Sequence, residues 1–153
     1  MTNNFENLDG IIKDDKHFYS LRVFYEDTDA GQIVYHTNYL KYFERARSSL
    51  LNLLNIDQLK IKKEDDIILV VKKVDVSWYK SAKLNDKLLI ETCLKYAKNS
   101  SITLNQDVYK YISNNNQNQL LVSGTVQIVA INSLYKVKKM NLILNHKFFQ
   151  KKS

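Results

Sequence analysis

Proline is absent from this chain, and glycine occurs three times. Its turns must therefore rely on Asn, Asp and Ser as well as Gly. A single cysteine, Cys93, excludes an internal disulfide and gives no argument for an oxidising compartment. Three scattered glycines cannot build a Walker phosphate loop, and there is no GxSxG elbow for a serine hydrolase. His17, His36 and His146 lie too far apart for an HExxH zinc motif. No apolar run approaches the roughly 18–20 residues of a membrane-spanning helix. The leading MTNNFENLDG lacks the basic-then-apolar order of a signal peptide. A cytoplasmic setting is expected.

What is present is a chain of 153 residues, most simply one domain with a core of its own. Its formal charge is +7, from 23 basic and 16 acidic residues. That balance suits an anionic partner. Nucleic acid is not expected, because arginines are few and no aromatic cluster accompanies a basic groove. Residues 136–153 carry Lys136, Lys138, Lys139, Lys147, Lys151 and Lys152 and no acid. This stretch reads as a solvated tail. With Leu142, Ile143, Leu144, Phe148 and Phe149 it also reads as a surface-seeking segment, able to touch the inner membrane peripherally.

Residues 1–16 read as a polar, mobile lead-in, 17–140 as the folded domain and 141–153 as a basic tail. Tyr19, Leu21, Val23 and Tyr25 alternate as a strand does. A helix is expected from about Asn38 to Asn55, where Tyr39, Phe43, Ala46 and Leu50 recur at three- and four-residue steps. Thr37 or Asn38 is placed to cap it. Lys60–Asp66 reads as a loop. Four long β-type runs follow, roughly Ile67–Tyr79, Lys87–Tyr96, Ser101–Ile112 and Gln119–Ser133. Their short polar connections favour antiparallel hairpins. Gly124 marks a bulge or a close backbone approach. The expected class is α+β, with one long helix covered by an antiparallel sheet of five strands or slightly more.

Polar chemistry concentrates in YEDTDAGQIVYHTNYLKYFERAR, from Tyr25 to Arg47. Asp27 and Asp29 precede His36, and the helix begins within two residues of that histidine. A helix start presents unpaired N–H groups and the positive end of the dipole. Such groups polarise a carbonyl and stabilise the oxyanion formed on attack. A neighbouring carboxylate can act as nucleophile or deprotonate water. These are two requirements of acyl-transfer hydrolysis without serine or cysteine. Turn and cap hydrogen bonds are the structural alternative for both aspartates. A metal held by Asp27, Asp29 and His36 lacks further ligands and is not expected. Cys93, in a β-run without an activating base, reads as a sheet residue.

The stretch RVFYEDTDAGQIVYHTNYLKYFERARSSLL resembles the hotdog-fold acyl-CoA thioesterases of the YbgC type, related to 4-hydroxybenzoyl-CoA thioesterase. The likeness continues through VVKKVDVSWYKSAKLNDKLLIETCL to VSGTVQIVAIN and covers about residues 17–140. It implies a hotdog fold, a long central helix wrapped by the sheet. It also implies a homodimer, often doubled to a homotetramer, with sites where the aspartate of one chain faces the helix start of the other. Asp29 matches the family's catalytic carboxylate, His36 its histidine at the helix start and Tyr25 an active-site tyrosine. The implied substrate is acyl-CoA, with acyl carrier protein as an alternative carrier. No metal or redox cofactor is implied. Gln32 stands where relatives commonly have glycine, and so should reshape the pocket. Ser81 stands where they commonly have proline. Lys98 and Ser100, in the turn KNSS, are candidate phosphate or pantetheine contacts. The rival function is a module that binds acyl-CoA or acyl carrier protein without turnover.

Overall fold

A computed structural model describes residues 5–150. The sheet has six strands: β1 (Ile11–Lys13), β2 (Lys16–Arg22), β3 (Ile68–Trp78), β4 (Lys87–Lys98), β5 (Ser101–Ile112) and β6 (Gln117–Ile131). Their order is β1-β2-β4-β5-β6-β3, with every pair antiparallel. The sixth strand, β1, lies inside the stretch read as a mobile lead-in. Two consecutive left-handed residues, Asp14 and Asp15, make its tight turn into β2. Aspartate tolerates that conformation better than most residues, so this chain turns here without glycine. Register shifts at Val71/Lys73, Leu94/Tyr96 and Val108/Tyr109 bend the strands.

Helix α1 (Asn38–Leu53) packs on one face of the sheet. Tyr39, Tyr42, Phe43, Ala46 and Leu50 form its buried stripe. Each large side chain so buried contributes about 1.5–3 kcal/mol. The helix ends where Asn55 turns left-handed (φ 59°) and Ile56 N–H reaches back to Leu51 O at 2.8 Å. That is a Schellman closure with Asn in the glycine role. Gly124 of β6 sits beneath Phe43, and a Cβ there would lie 2.9 Å from Phe43 Cε2. The glycine therefore marks a close approach of helix and sheet, not a bulge. Beside it, buried Gln106 donates to Phe43 O (3.1 Å) and Thr92 Oγ1 (2.9 Å) and accepts from Arg47 (2.9 Å).

Two sequence expectations are corrected. Residues 60–66 are mostly helical: α2 spans Gln58–Asp65. Asp57 caps it by accepting from Leu59 and Lys60 N–H, and buried Ile61 anchors it. With one apolar anchor among lysines and acids, no periodic stripe announced it. The segment after residue 140 is also not a free surface element. Helix α3 (Asn141–Leu144) and a 3₁₀ turn at Lys147–Phe149 bury Ile143, Phe148 and Phe149 in the core with Met140. Only Leu142 of the apolar group is exposed. Lys151 and Lys152 lie outside the described residues.

His17 is fully buried on β2. Its Nε2–H donates to Asp9 O at 2.7 Å, whereas Nδ1 has no partner. Burial lowers its pKa below the ordinary 6.5. The unfolded chain then binds the extra proton first, so stability is full above about pH 6.5 and falls as the pH drops through the lowered value. The expected result is a melting temperature that declines between pH 7 and pH 5. His17→Gln should flatten that decline, and an unchanged slope in thermal melts of the variant would assign the decline to other groups.

Candidate active site

The polar stretch is clamped at both ends. Val23 N–H donates to Asp86 O (2.9 Å) and Asn85 N–H to Val23 O (3.0 Å). Tyr25–Asp27 then form a 3₁₀ turn. Asp27 is buried and fully engaged: Oδ2 accepts from Phe24 N–H (2.8 Å), Oδ1 from Asn38 Nδ2 (2.9 Å) and its carbonyl from Tyr35 N–H (3.0 Å). Asp27 thereby ties the turn to the first residue of α1. The Tyr42 phenol lies close by, its pKa pushed up by burial first and then by the Asp27 carboxylate.

Asp29 behaves differently. It is exposed, and its backbone closes a tight loop with Ile33 and Gln32, at 3.0 and 2.9 Å. Gln32 holds φ 62° there. A side chain in this conformation costs roughly 1–2 kcal/mol relative to a right-handed one. The departure from glycine thus falls on a backbone position that favours glycine. Asp29 Oδ1 accepts Gly31 N–H at 2.8 Å, which orients the carboxylate. A Cβ on Gly31 would lie 3.0 Å from that same oxygen. Gly31→Ala should therefore turn the carboxylate aside, lowering kcat about tenfold through misalignment alone. Steady-state thiol release checks this, alongside a melt that should barely move.

Bridges Thr28↔Val34 and Ile33↔Lys83 hold the loop against residues 82–83, where Tyr39 Oη accepts Ala82 N–H (3.0 Å). Asp29 consequently stands between two hollows. One, of about 250 Å³, is lined by Asp29, Tyr35, His36, Trp78 and Ser81 among others. The other, of about 760 Å³, is lined by Tyr25, Asp29, Gly31, Gln32, Lys83 and Leu84 among others. Tyr25 is 82% exposed on the second. The His36 ring packs edge-on to Tyr35 and Trp78, with centroids 4.6 and 5.9 Å away. Trp78 Nε1–H donates to His36 O at 3.1 Å. The N–H groups of His36 and Thr37 have no acceptor among the described residues. Neither Thr37 nor Asn38 caps the helix with its side chain; Asn38 is committed to Asp27. The helix start is thus uncapped beside the hollow that Asp29 and His36 line.

One chain therefore brings together Asp29, His36, Tyr25 and Gln32. It does not bring Lys98 and Ser100 to them. These lie at the far end of β4, about 35 Å along the strand at roughly 3.3 Å per residue. Asn38 and Trp78 are contacts that sequence reasoning missed as site supports. Its place at the helix start suggests a cap for Asn38, as for Thr37, and nothing local in the sequence ties Trp78 to His36. Cys93 is half-buried on β4, and burial pushes its thiol pKa up, so it is not an activated nucleophile. No cluster of metal-ligating side chains occurs among the described residues.

The model of the thioesterase-like superfamily matches residues 23–149. The chain belongs to that superfamily. It is 38% identical over 120 residues to the acyl-CoA thioesterase YbgC of Haemophilus influenzae, covering 78% of this chain and 83% of that protein. It is 35% identical over 114 residues to the acyl-CoA thioester hydrolase YbgC of Escherichia coli, covering 74% and 81%. The 4-hydroxybenzoyl CoA thioesterase of a Pseudomonas superposes with a TM-score of 0.72 at 20% identity, covering 82% of this chain and 91% of that one. That likeness establishes the hotdog thioesterase fold. Within the superfamily fold, the open start of α1 and the Asp29 loop occupy the same end of the sheet.

Proposed function

We propose that this chain hydrolyses acyl-CoA thioesters at Asp29 and the start of α1. The observation that supports the reading most is one hollow lined by the exposed carboxylate of Asp29 and by His36, whose backbone N–H has no acceptor among the described residues. The thioester carbonyl sits against the N–H of His36 or Thr37, which stabilises the oxyanion. Asp29 either deprotonates the attacking water or attacks directly to give a mixed anhydride that water then opens. The leaving thiol has a pKa of about 8.5 by analogy with cysteine, so it departs as thiolate without strong acid assistance. Tyr25 and Gln32 line the approach from the larger hollow.

The minimum unit proposed is a homodimer, built through the outer edge of β3. Among the described residues that strand pairs with β6 alone, and it exposes Val71, Val74 and Trp78. An antiparallel two-fold pairing about its midpoint sets Trp78 of one chain beside Ile68 of the other. Ser100 O accepts Ala130 N–H, and Ala130 pairs with Leu69. Lys98 and Ser100 therefore approach the substrate only from the partner chain.

Thiol release from short aliphatic, long aliphatic and aromatic acyl-CoAs tests the function. Turnover on one class is expected, and it names the acyl preference. A folded protein that binds CoA and releases no thiol from any of them would instead be a binding module.

A further inference from the structure

We propose that Trp78 is a positioning residue for the hydrolysis: its indole N–H holds the His36 carbonyl and so fixes the backbone that carries the oxyanion donors. The inference rests on the acyl-CoA reading and adds to it a residue from the edge strand. Trp78 is the single tryptophan of the chain and the last residue of β3. It lines one hollow with Asp29 and His36 and is 46% exposed. Its Nε1–H donates to His36 O at 3.1 Å. That carbonyl has no backbone donor among the described residues. In a regular helix the N–H of residue 40 would reach the carbonyl of residue 36. Here Leu40 N–H donates to Thr37 O instead, at 3.1 Å. The indole takes the place of a bond that the first turn of α1 does not make.

Peptide geometry carries the effect of this bond to the donors. Among the described residues every peptide is trans, so the C=O and N–H of one unit share a plane and point opposite ways. The His36 carbonyl shares its plane with Thr37 N–H, and the indole holds that plane. The Tyr35 carbonyl shares its plane with His36 N–H, and Asn38 N–H holds it at 2.8 Å. The backbone of His36 is therefore fixed on both sides. Without the indole bond the second plane is free to turn, and with it the direction of Thr37 N–H and the setting of His36.

Donation to the His36 carbonyl also polarises the peptide, which makes Thr37 N–H a stronger donor. Donors held in advance stabilise an oxyanion without reorganising during the reaction. The edge-on contact of the indole with the His36 imidazole, at 5.9 Å between centroids, is one that a phenylalanine ring can keep. The N–H is what tryptophan alone supplies at this position.

Trp78→Phe, which keeps a ring and removes the N–H, is the test. Steady-state thiol release on the best acyl-CoA should show kcat lowered about tenfold with KM unchanged. The loss should be the same for every acyl group that the wild type accepts and at every protein concentration, with the melting temperature held. A raised KM with kcat intact would make Trp78 a wall of the pocket and overturn the proposal. So would a loss recovered at high protein concentration, which would make it a dimer contact, or a lowered melting temperature with full kcat per folded molecule. A second measurement needs no variant. The single indole N–H gives one resonance in a proton–nitrogen correlation spectrum of the full chain. It should move when the non-hydrolysable thioether analogue of that acyl-CoA binds, and an unmoved resonance at saturation overturns the proposal. Wild-type protein with no turnover on any thioester strikes the hydrolase reading itself. A Trp78→Phe variant as fast as an active wild type strikes only the role of Trp78.

Discussion

Asp29→Asn is expected to lose about 10³-fold in kcat, within the range of a removed general base or nucleophile, while folding as the wild type does. His36→Ala should lose only about tenfold, because that residue contributes its backbone N–H and its ring serves to pack the helix start against Trp78. The exposed Asp29 side chain makes one hydrogen bond to the chain, from Gly31 N–H, so its removal leaves the fold intact. Comparable losses in kcat from both variants, with unchanged melts, would move the chemistry onto the imidazole.

Asp27→Ala, only two residues away, should do the opposite. Asp27 is buried, and its carboxylate satisfies Phe24 N–H and Asn38 Nδ2. Truncation removes the acceptor of Phe24 N–H and leaves Asn38 Nδ2 only its longer bond of 3.4 Å to the carbonyl of residue 27, in a partly buried turn. Hydrogen bonds to a charged group are worth about 1.5–3 kcal/mol each, with loss of one partner at the upper end. A total of about 3 kcal/mol is expected, read as a denaturation midpoint shifted at unchanged m-value. Activity should fall chiefly because less protein is folded and the start of α1 is no longer tied to the turn. A variant of wild-type stability would show that Asp27 is not what joins the turn to the helix.

The contrast between these two aspartates was only partly legible in the sequence. Both stand in one polar run, and spacing alone assigned either of them to chemistry or to a turn. The family resemblance favoured Asp29. Why Asp27 is structural became visible only with Asn38, whose amide meets it across a turn that no periodicity predicts. The long elements were legible because their apolar spacing is regular: the stripe from Tyr39 to Leu50 and the alternation through β4 and β5. Helix α2 was not, since a single anchor at Ile61 and a cap at Asp57 make no pattern. The segment after Met140 reads as a basic tail because its lysines dominate composition, whereas Ile143, Phe148 and Phe149 find their apolar partners from distant strands. The bond from Trp78 to His36 joins residues 42 apart in the chain and depends on how β3 lies against the start of α1, which is a tertiary property.

The most direct measurement is thiol release by wild type and Asp29→Asn on the best acyl-CoA substrate, with CoA affinity determined on the same two samples. The account predicts turnover in the wild type, its loss in the variant and similar CoA affinity in both. Undiminished turnover in a folded Asp29→Asn variant would contradict it.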